Sequence, residues 1–247
     1  SGVAEILINH SNRIAQKTKD TLFVKYILDL RDFEGITYSD KFIKDFKTIL
    51  NDDEVKIVAE VMGGVNPAYE FVKSCLEAGK SVVTSNKELV AAKGAELLKI
   101  AEENNVNFLF EASVGGGIPI IRPISRCLAG NEISEVAGIL NGTTNYILTK
   151  MITEGVSFDA ALKNAQDLGY AEKDPTADVE GIDTCRKICI LAALSFGEHV
   201  YPDQVATEGI RGVTLEDVAY ADSCGCKIKL LGRAIRQNNG KVCAFVA

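Results

Sequence analysis

Through the first 110 residues, short apolar runs rich in β-branched side chains alternate with longer segments of helical periodicity, and that alternation restricts the fold more than any other feature. A repeating strand–helix pattern buries both kinds of element only when helices cover the faces of a mostly parallel sheet. Residues 22–30 read as a strand buried on both faces and 39–50 as a helix. A strand over 55–62 closes on Gly63-Gly64, and Asn66-Pro67 opens a helix reaching Gly79. Residues 81–84 form the next strand, Ser85-Asn86 caps a helix over 87–104, and 106–110 is a further strand. Ahead of all these, Val3, Ile6, Leu7 and Ile14 share one helical face, so the chain starts inside a helix or at its first turn. With its last residues strand-like, both ends look cut.

The pattern changes at Gly115-Gly116-Gly117. Strand-like segments at 133–140 and 204–213, helical ones at 146–154, 158–168, 181–196 and 215–222, and paired strands near the end read as α+β. The expected architecture is α/β, a Rossmann-type doubly wound parallel sheet lacking its first strand, followed by a second α+β domain. The expected division is 1–112 and 113–247. The longest loop, 169–180, is polar, and such loops within compact domains often carry function.

Composition narrows the partners. With 27 Lys+Arg against 34 Asp+Glu the net charge is −7, which argues against nucleic acid or an anionic membrane. The longest apolar run, Ile188 to Leu194, is far short of the ~20 residues of a membrane-spanning helix. Seven cysteines with no C-x-x-C pair read as reduced, mostly buried thiols of a cytoplasmic protein, and two distant histidines leave little for a zinc site.

In a doubly wound sheet, ligands bind beyond the carboxyl ends of the strands. The phosphate-binding G-x-G-x-x-G turn is absent. Asp29, Arg31 and Asp32 follow the strand whose end usually meets the adenosine ribose; an acid there suits a ribose hydroxyl, an Arg a 2′-phosphate, and solvated charges are the plain reading. Met62-Gly63-Gly64 allows close backbone approach to a flat ligand, or is simply a tight turn. At Thr84-Ser85-Asn86-Lys87, a lysine stands in the first turn of a helix, against the dipole, so a bound anion or a reactive polar group would explain it; a solvated lysine is the alternative. Asp183 and Lys187 lie one turn apart at the start of an apolar helix, and the loop before them carries Glu172, Asp174 and Asp178. A lysine among carboxylates can stay charged, bond a substrate oxygen and exchange a proton with it; acids at a helix N-terminus can also be there for the dipole alone. Glu111 followed by flexible backbone at 114–118 is an oxygen-rich arrangement that hard cations favour, or a hinge. Asn141-Gly142-Thr143-Thr144-Asn145 offers backbone donors together with hydroxyls and amides at a helix start, which suits a carboxylate or phosphate.

Taken together these segments resemble the homoserine dehydrogenases over nearly the whole chain. The likeness rests on Ala165 through Gly169-Tyr170, Asp174-Pro175, Asp178-Val179, Gly181, Asp183 and Lys187, on Asn141 to Leu148, on Glu111 to Pro119, and on Met62-Gly63-Gly64 with Ser85-Asn86-Lys87. The resemblance implies an oxidoreductase interconverting L-homoserine and L-aspartate 4-semialdehyde with NADP or NAD, a branch point toward threonine, methionine and isoleucine. It implies that Lys187, Asp183 and Lys87 serve proton transfer and substrate, that Glu172, Asp178, Thr143, Gly169 and Tyr170 bind substrate, and that Arg31, Met62, Gly63, Gly64, Ser85, Asn86 and Lys87 line the cofactor. It further implies a monovalent cation, Na+, at Glu111 and the carbonyls of Val114, Gly116 and Ile118, and a homodimer through the second domain. The family's dinucleotide fingerprint would precede Ser1 and its closing segment would follow Ala247, so this chain by itself is expected to bind cofactor weakly or to be inactive. A related semialdehyde reductase and a catalytically silent binding or assembly module are the competing readings.

Overall fold

In the computed structural model, which describes residues 2–33 and 35–247, the opening helical segment is two helices, α1 (Gly2–Asn9) and α2 (Ser11–Thr18), separated at His10. Ser1 lies outside the described residues. Neither helix buries a residue, and Val3 and Ile6 of the expected apolar face are exposed.

The parallel strands fall in two groups. β1 (Ile27–Leu28) pairs with β2 (Phe42–Ile43); α3 (Phe46–Leu50) then leads to β3 (Ile57–Glu60), which pairs with β4 (Ser81–Thr84), and β4 with β5 (Phe108–Leu109). In chain order the groups correspond to positions 3-2 and 4-5-6 of the doubly wound order 3-2-1-4-5-6. Helices α4 (Ala68–Glu77) and α5 (Lys87–Glu103) make the crossovers and pack on each other and on the sheet. Because Ile57 aligns with Ser81 and Glu60 with Thr84, β3 and β4 end level, and their carboxyl-end turns lie side by side.

Two expectations for this half are corrected. Of residues 22–30 only 27–28 join a ladder, with β2 as their one neighbour among the described residues, and Phe23 and Leu30 are exposed. Residues 39–50 are not one helix. Phe42 and Ile43 are drawn into the sheet, and α3 begins afresh where the Asp45 side chain accepts a hydrogen bond from the Lys47 amide at 3.0 Å. Strand pairing with a distant segment outweighs the helical period there.

The second half is built on a four-stranded mixed sheet in the order β6-β8-β9-β7, comprising β6 (Glu135–Gly138), β7 (Ala206–Thr207), β8 (Gly232–Arg236) and β9 (Val242–Val246). Its helices are α6 (Gly142–Glu154), α7 (Phe158–Asp167), the short α8 (Thr176–Val179), α9 (Ile182–Phe196) and α10 (Leu215–Ser223). The strand expected over 204–213 shrinks to β7, because the chain turns at Gly209 to bond α8. α9 buries Ile188, Cys189, Ile190, Leu191 and Ala192 in succession. A helix apolar all round needs neighbours all round, and α9 has α5 on one side and β6, β8 and β9 on the other. Burying each of its large side chains contributes ~1.5–3 kcal/mol, so α9 is where the two halves share a core. The cysteines are less buried than expected. Cys75, Cys185 and Cys189 are buried, whereas Cys127, Cys224, Cys226 and Cys243 are exposed, two of them in the turn after α10 and one on the outer face of β9.

Gly209 anchors the loop that follows β7. The Ile210 amide donates to the Val179 carbonyl at 2.8 Å, and a Cβ on Gly209 would stand 2.1 Å from that oxygen. Backbone cannot yield as a flexible side chain can. Gly209→Ala is expected to lower unfolding stability by more than about 2 kcal/mol in urea titrations, whereas Gly212→Ala, with open space at its Cβ, is expected to stay within about 0.5 kcal/mol. Equal midpoints for the two variants would contradict this account of the loop.

Candidate active site

The first turns of α5 and α9 meet, and their charged residues pair in register. Arg186 reaches Glu88 at 3.2 Å, and beside that pair the Lys87 ammonium contacts Oδ1 of Asp183. One turn along α9, Lys187 Nζ lies 2.7 Å from Oδ2 of the same carboxylate and donates to the Leu140 carbonyl at 2.8 Å. Asp183 is buried, which disfavours its charge, but hydrogen bonds from Lys187, Lys87 and Asn141 outweigh burial and hold its carboxyl below the usual carboxylate range. The lysine standing against the α5 dipole therefore has its anion within the protein.

Asn141 is the cap of α6. Its Oδ1 accepts from the Thr144 amide at 2.8 Å, and its Nδ2 donates to Asp178 Oδ1 at 2.7 Å and to Asp183 Oδ2 at 2.9 Å. Thr143, in the first turn of α6, donates its hydroxyl to the Tyr170 carbonyl at 2.9 Å, which fastens the Gly169-Tyr170 turn to that helix start. The acidic loop is thereby sorted. Asp178 and Asp183 converge on Asn141; Asp174 accepts from the amide and hydroxyl of Thr176; Glu180 pairs with Arg211 at 2.6 Å; Glu172 is exposed and its carboxylate meets no hydrogen-bond partner among the described residues.

The turns after β3 and β4 are joined by a buried carboxylate. Glu60 Oε1 accepts from the Met62 and Gly63 amides at 2.6 and 3.4 Å, and Oε2 accepts from the Thr84 hydroxyl at 2.5 Å. Thr84 Oγ1 in turn accepts from the Asn86 amide at 2.9 Å, while Asn86 Nδ2 donates to the Gly64 carbonyl at 2.6 Å and Asn86 Oδ1 caps α5 at Leu89. Gly63 and Gly64 have φ of 84° and 71°, conformations that side chains resist, and a Cβ on Gly63 would meet no atom within 4 Å. With Met62 and Ser85 also exposed, the two turns offer an open, flat surface leading to Lys87, which suits the nicotinamide half of a dinucleotide.

At the end of β1, Asp29 holds Arg31 through Nε at 3.1 Å and Nη2 at 2.9 Å, and also accepts the Arg31 amide. The guanidinium lowers the Asp29 carboxyl to about 2. Asp32 pairs with Lys44 at 2.8 Å. These charges are paired locally, so neither a 2′-phosphate nor a ribose hydroxyl is singled out.

Glu111 sits in a 3-10 turn, Glu111–Ser113, and its carboxylate accepts from the amides of Ile120 at 3.3 Å and Arg122 at 2.9 Å. Between them the chain doubles back, with the Ile118 amide bonded to the Gly115 carbonyl at 2.6 Å. Among the described residues the carbonyls of Val114, Gly116 and Ile118 receive no hydrogen bond. A carboxylate with spare lone pairs and three unpaired carbonyls within eight residues are oxygen donors of the kind a hard cation takes.

Sequence reasoning placed Lys87, Asp183 and Lys187 at the site but assigned no role to Glu60, and gave the Asn141 amide only as one of several donors in its turn, without the acids it joins. An acid closing an apolar run just before Gly63-Gly64 was the available sign for Glu60, and an Asn at a helix start the sign for Asn141.

Comparison with known proteins agrees with this geometry. Residues 119–246 match the homoserine dehydrogenase family model, and residues 12–111 match the model of the homoserine dehydrogenase NAD-binding domain. A homoserine dehydrogenase of Synechocystis is 50% identical over 190 residues, 77% of this chain and 44% of that protein. The crystal structure of a homoserine dehydrogenase from Thiobacillus denitrificans superposes with a TM-score of 0.90 at 41% identity, covering 98% of this chain and 56% of that one. A hyperthermophilic archaeal homoserine dehydrogenase in complex with NADPH superposes at 0.77 with 29% identity, over 96% of this chain and 76% of that one. The chain spans about half the length of the curated relatives it matches, 42% to 57%. On these matches, which together take in the parallel strands of the first half and the four-stranded sheet of the second, the chain belongs to the homoserine dehydrogenase family.

Proposed function

We propose that this chain carries the cofactor and substrate halves of an enzyme interconverting L-homoserine and L-aspartate 4-semialdehyde. The observation that carries the reading is the meeting of Lys87, from the turn beside the flat cofactor surface, with Lys187, from the opposite half, on one buried carboxylate. The family-model matches support a division near 1–112 and 113–247. A bound nicotinamide, NADP or NAD, would supply or accept the hydride, held against Met62, Gly63, Gly64, Ser85, Asn86 and Lys87, with Arg31 at the adenosine end.

The protein's own part is charge and proton placement. Reducing an aldehyde places negative charge on its oxygen, and a fixed ammonium there stabilises that charge and can give up a proton. Lys187, with 16% side-chain exposure against 41% for Lys87, is the better shielded, so its field at a substrate oxygen is the stronger. Asp183 holds it in place. Asp178, which has no cationic partner among the described residues, suits the substrate ammonium, with Glu172 at the open rim and Thr143, Gly169 and Tyr170 forming the wall. Na+ at Glu111, Val114, Gly116 and Ile118 would brace the junction between halves, through a loop whose other end Glu111 already holds. The reading extends to a homodimer. α9 covers one face of the four-stranded sheet, and the other face presents Glu135, Ala137, Arg233, Ile235, Cys243 and Phe245, all partly or wholly exposed.

The direct test is oxidation of NADPH and NADH with aspartate semialdehyde, followed at 340 nm. Turnover is expected with the full-length protein, and Lys187→Ala within it is expected to fold normally and lose about 10²–10⁴-fold in kcat. Near-normal turnover in that variant would remove Lys187 from its role. Asp183 also makes stability depend on pH. Its folded-state carboxyl titrates lower than in the unfolded chain, so its contribution is complete above the ordinary carboxylate value of about 3.9 and fades as pH falls through the lower folded value. Asp183→Asn is therefore expected to be less stable than the unsubstituted chain at neutral pH, by a margin that narrows on acidification. A margin independent of pH in urea titrations would contradict the burial and pairing described above.

A further inference from the structure

We propose that Asn141 is a positioning residue of this site, its amide group holding the Asp178 and Asp183 carboxylates side by side so that one faces substrate while the other aims Lys187. The substrate in this statement rests on the dehydrogenase reading; the positioning rests on the hydrogen bonds of Asn141 alone.

The amide has a single orientation available. Its oxygen accepts from both the amide and the hydroxyl of Thr144, at 2.8 and 3.0 Å, so a flipped group would set N–H against N–H. Nδ2 then has to direct its two hydrogens at Asp178 Oδ1 and Asp183 Oδ2, at 2.7 and 2.9 Å. Asn141 is buried at 5% exposure, so water is not a ready substitute donor. Two carboxylate oxygens drawn to one nitrogen repel unless a donor lies between them. The charged groups facing this point come from every adjoining element: Asp178 from α8, Asp183 and Lys187 from α9, and Lys87 from α5. Both lysines are on Asp183, which leaves Asn141 Nδ2 as the one hydrogen-bond donor to the Asp178 carboxylate among the described residues. Helix capping fixes the amide, and the amide fixes the acids.

Capping and positioning separate in two substitutions. Asn141→Ser keeps a capping oxygen and loses both donors; Asn141→Asp keeps the shape and the cap but sets a third carboxylate oxygen against the two acids. In the full-length protein both variants are expected to lose about ten- to a hundredfold in kcat/KM for the semialdehyde while the KM for the nucleotide stays unchanged. The activity of Asn141→Asp is expected to recover in part on acidification, as one of the three carboxyls takes up a proton and restores a donor. Unaltered kcat/KM in Asn141→Ser, or an Asn141→Asp pH profile parallel to that of the unsubstituted protein, overturns the proposal.

A second readout needs no turnover. If the amide screens the two acids, Asn141→Asp holds a carboxyl whose folded-state titration is raised, and its stability relative to the unsubstituted chain falls as pH rises past the carboxylate range. If Asn141 is only a cap, the ionised Asp gains from the helix dipole and the relative stability rises over the same interval. A rise overturns the proposal. A fall in stability together with an unsubstituted protein that ignores the semialdehyde would uphold the positioning and overturn the substrate assignment instead.

Discussion

A carboxylate in the core is costly to leave uncompensated, and the burial of Asp183 sets the arrangement of everything around it. Its compensation comes from three directions: Lys87 at the start of α5, Lys187 one turn along α9, and Asn141 at the start of α6. Two of the three donors are held in turn, Lys187 by the Leu140 carbonyl and Asn141 by Thr144, so the cluster is tied to backbone at those two points. Removing any one partner leaves charge or hydrogen-bonding capacity stranded in a low-dielectric setting. The ion pairs here say less about stability than about place: they fix where two ammonium groups stand relative to the mouth of the cofactor surface.

Glu60 does the corresponding work on the cofactor side. It sits at the level end of β3 and binds the Met62-Gly63 amides on one oxygen and Thr84 on the other, and Thr84 passes the constraint to Asn86, the cap of α5. Lys87 is the next residue. The positions of the glycine turn and of Lys87 are thereby coupled through hydrogen bonds alone, and Lys87 in turn touches Asp183. The two halves of the molecule communicate across the first turns of α5 and α9, with the Glu88–Arg186 pair repeating the link one step away.

Of the elements of the site, α5, α9 and β4 were legible because each announces itself locally, whereas α6 begins at Gly142 rather than 146 and α8 lies within what the sequence reads as a loop. Ser81–Thr84 was read residue for residue, Asn86 caps α5 as the sequence implies, and α9 starts within one residue of its expected place. Periodicity and capping are properties of a few neighbouring residues, so they survive in any environment. Residues 22–30 and 39–50 misled for the opposite reason: how much of an apolar run becomes strand depends on what lies beside it, and among the described residues β2 alone pairs with Ile27–Leu28. The exposed cysteines are a similar case, since apolar neighbours in sequence do not fix which face of β9 a residue occupies.

What the sequence determined by itself is the set of chemical groups and their local frames: the alternation that makes a parallel sheet, the Asp183–Lys187 spacing of one helical turn, the glycines that end β3, and motifs specific enough to mark the family. What only the tertiary structure decided is which acids meet which bases. Four carboxylates crowd the loop before α9, yet Asp178 alone joins Asp183 at Asn141, while Asp174 and Glu180 turn to Thr176 and Arg211 and Glu172 faces solvent. Lys87 and Asp183 are nearly a hundred residues apart, and no local rule pairs them; the packing of α5 on α9 does, because two apolar helices sharing one core set their first turns, and the charges those turns carry, against each other.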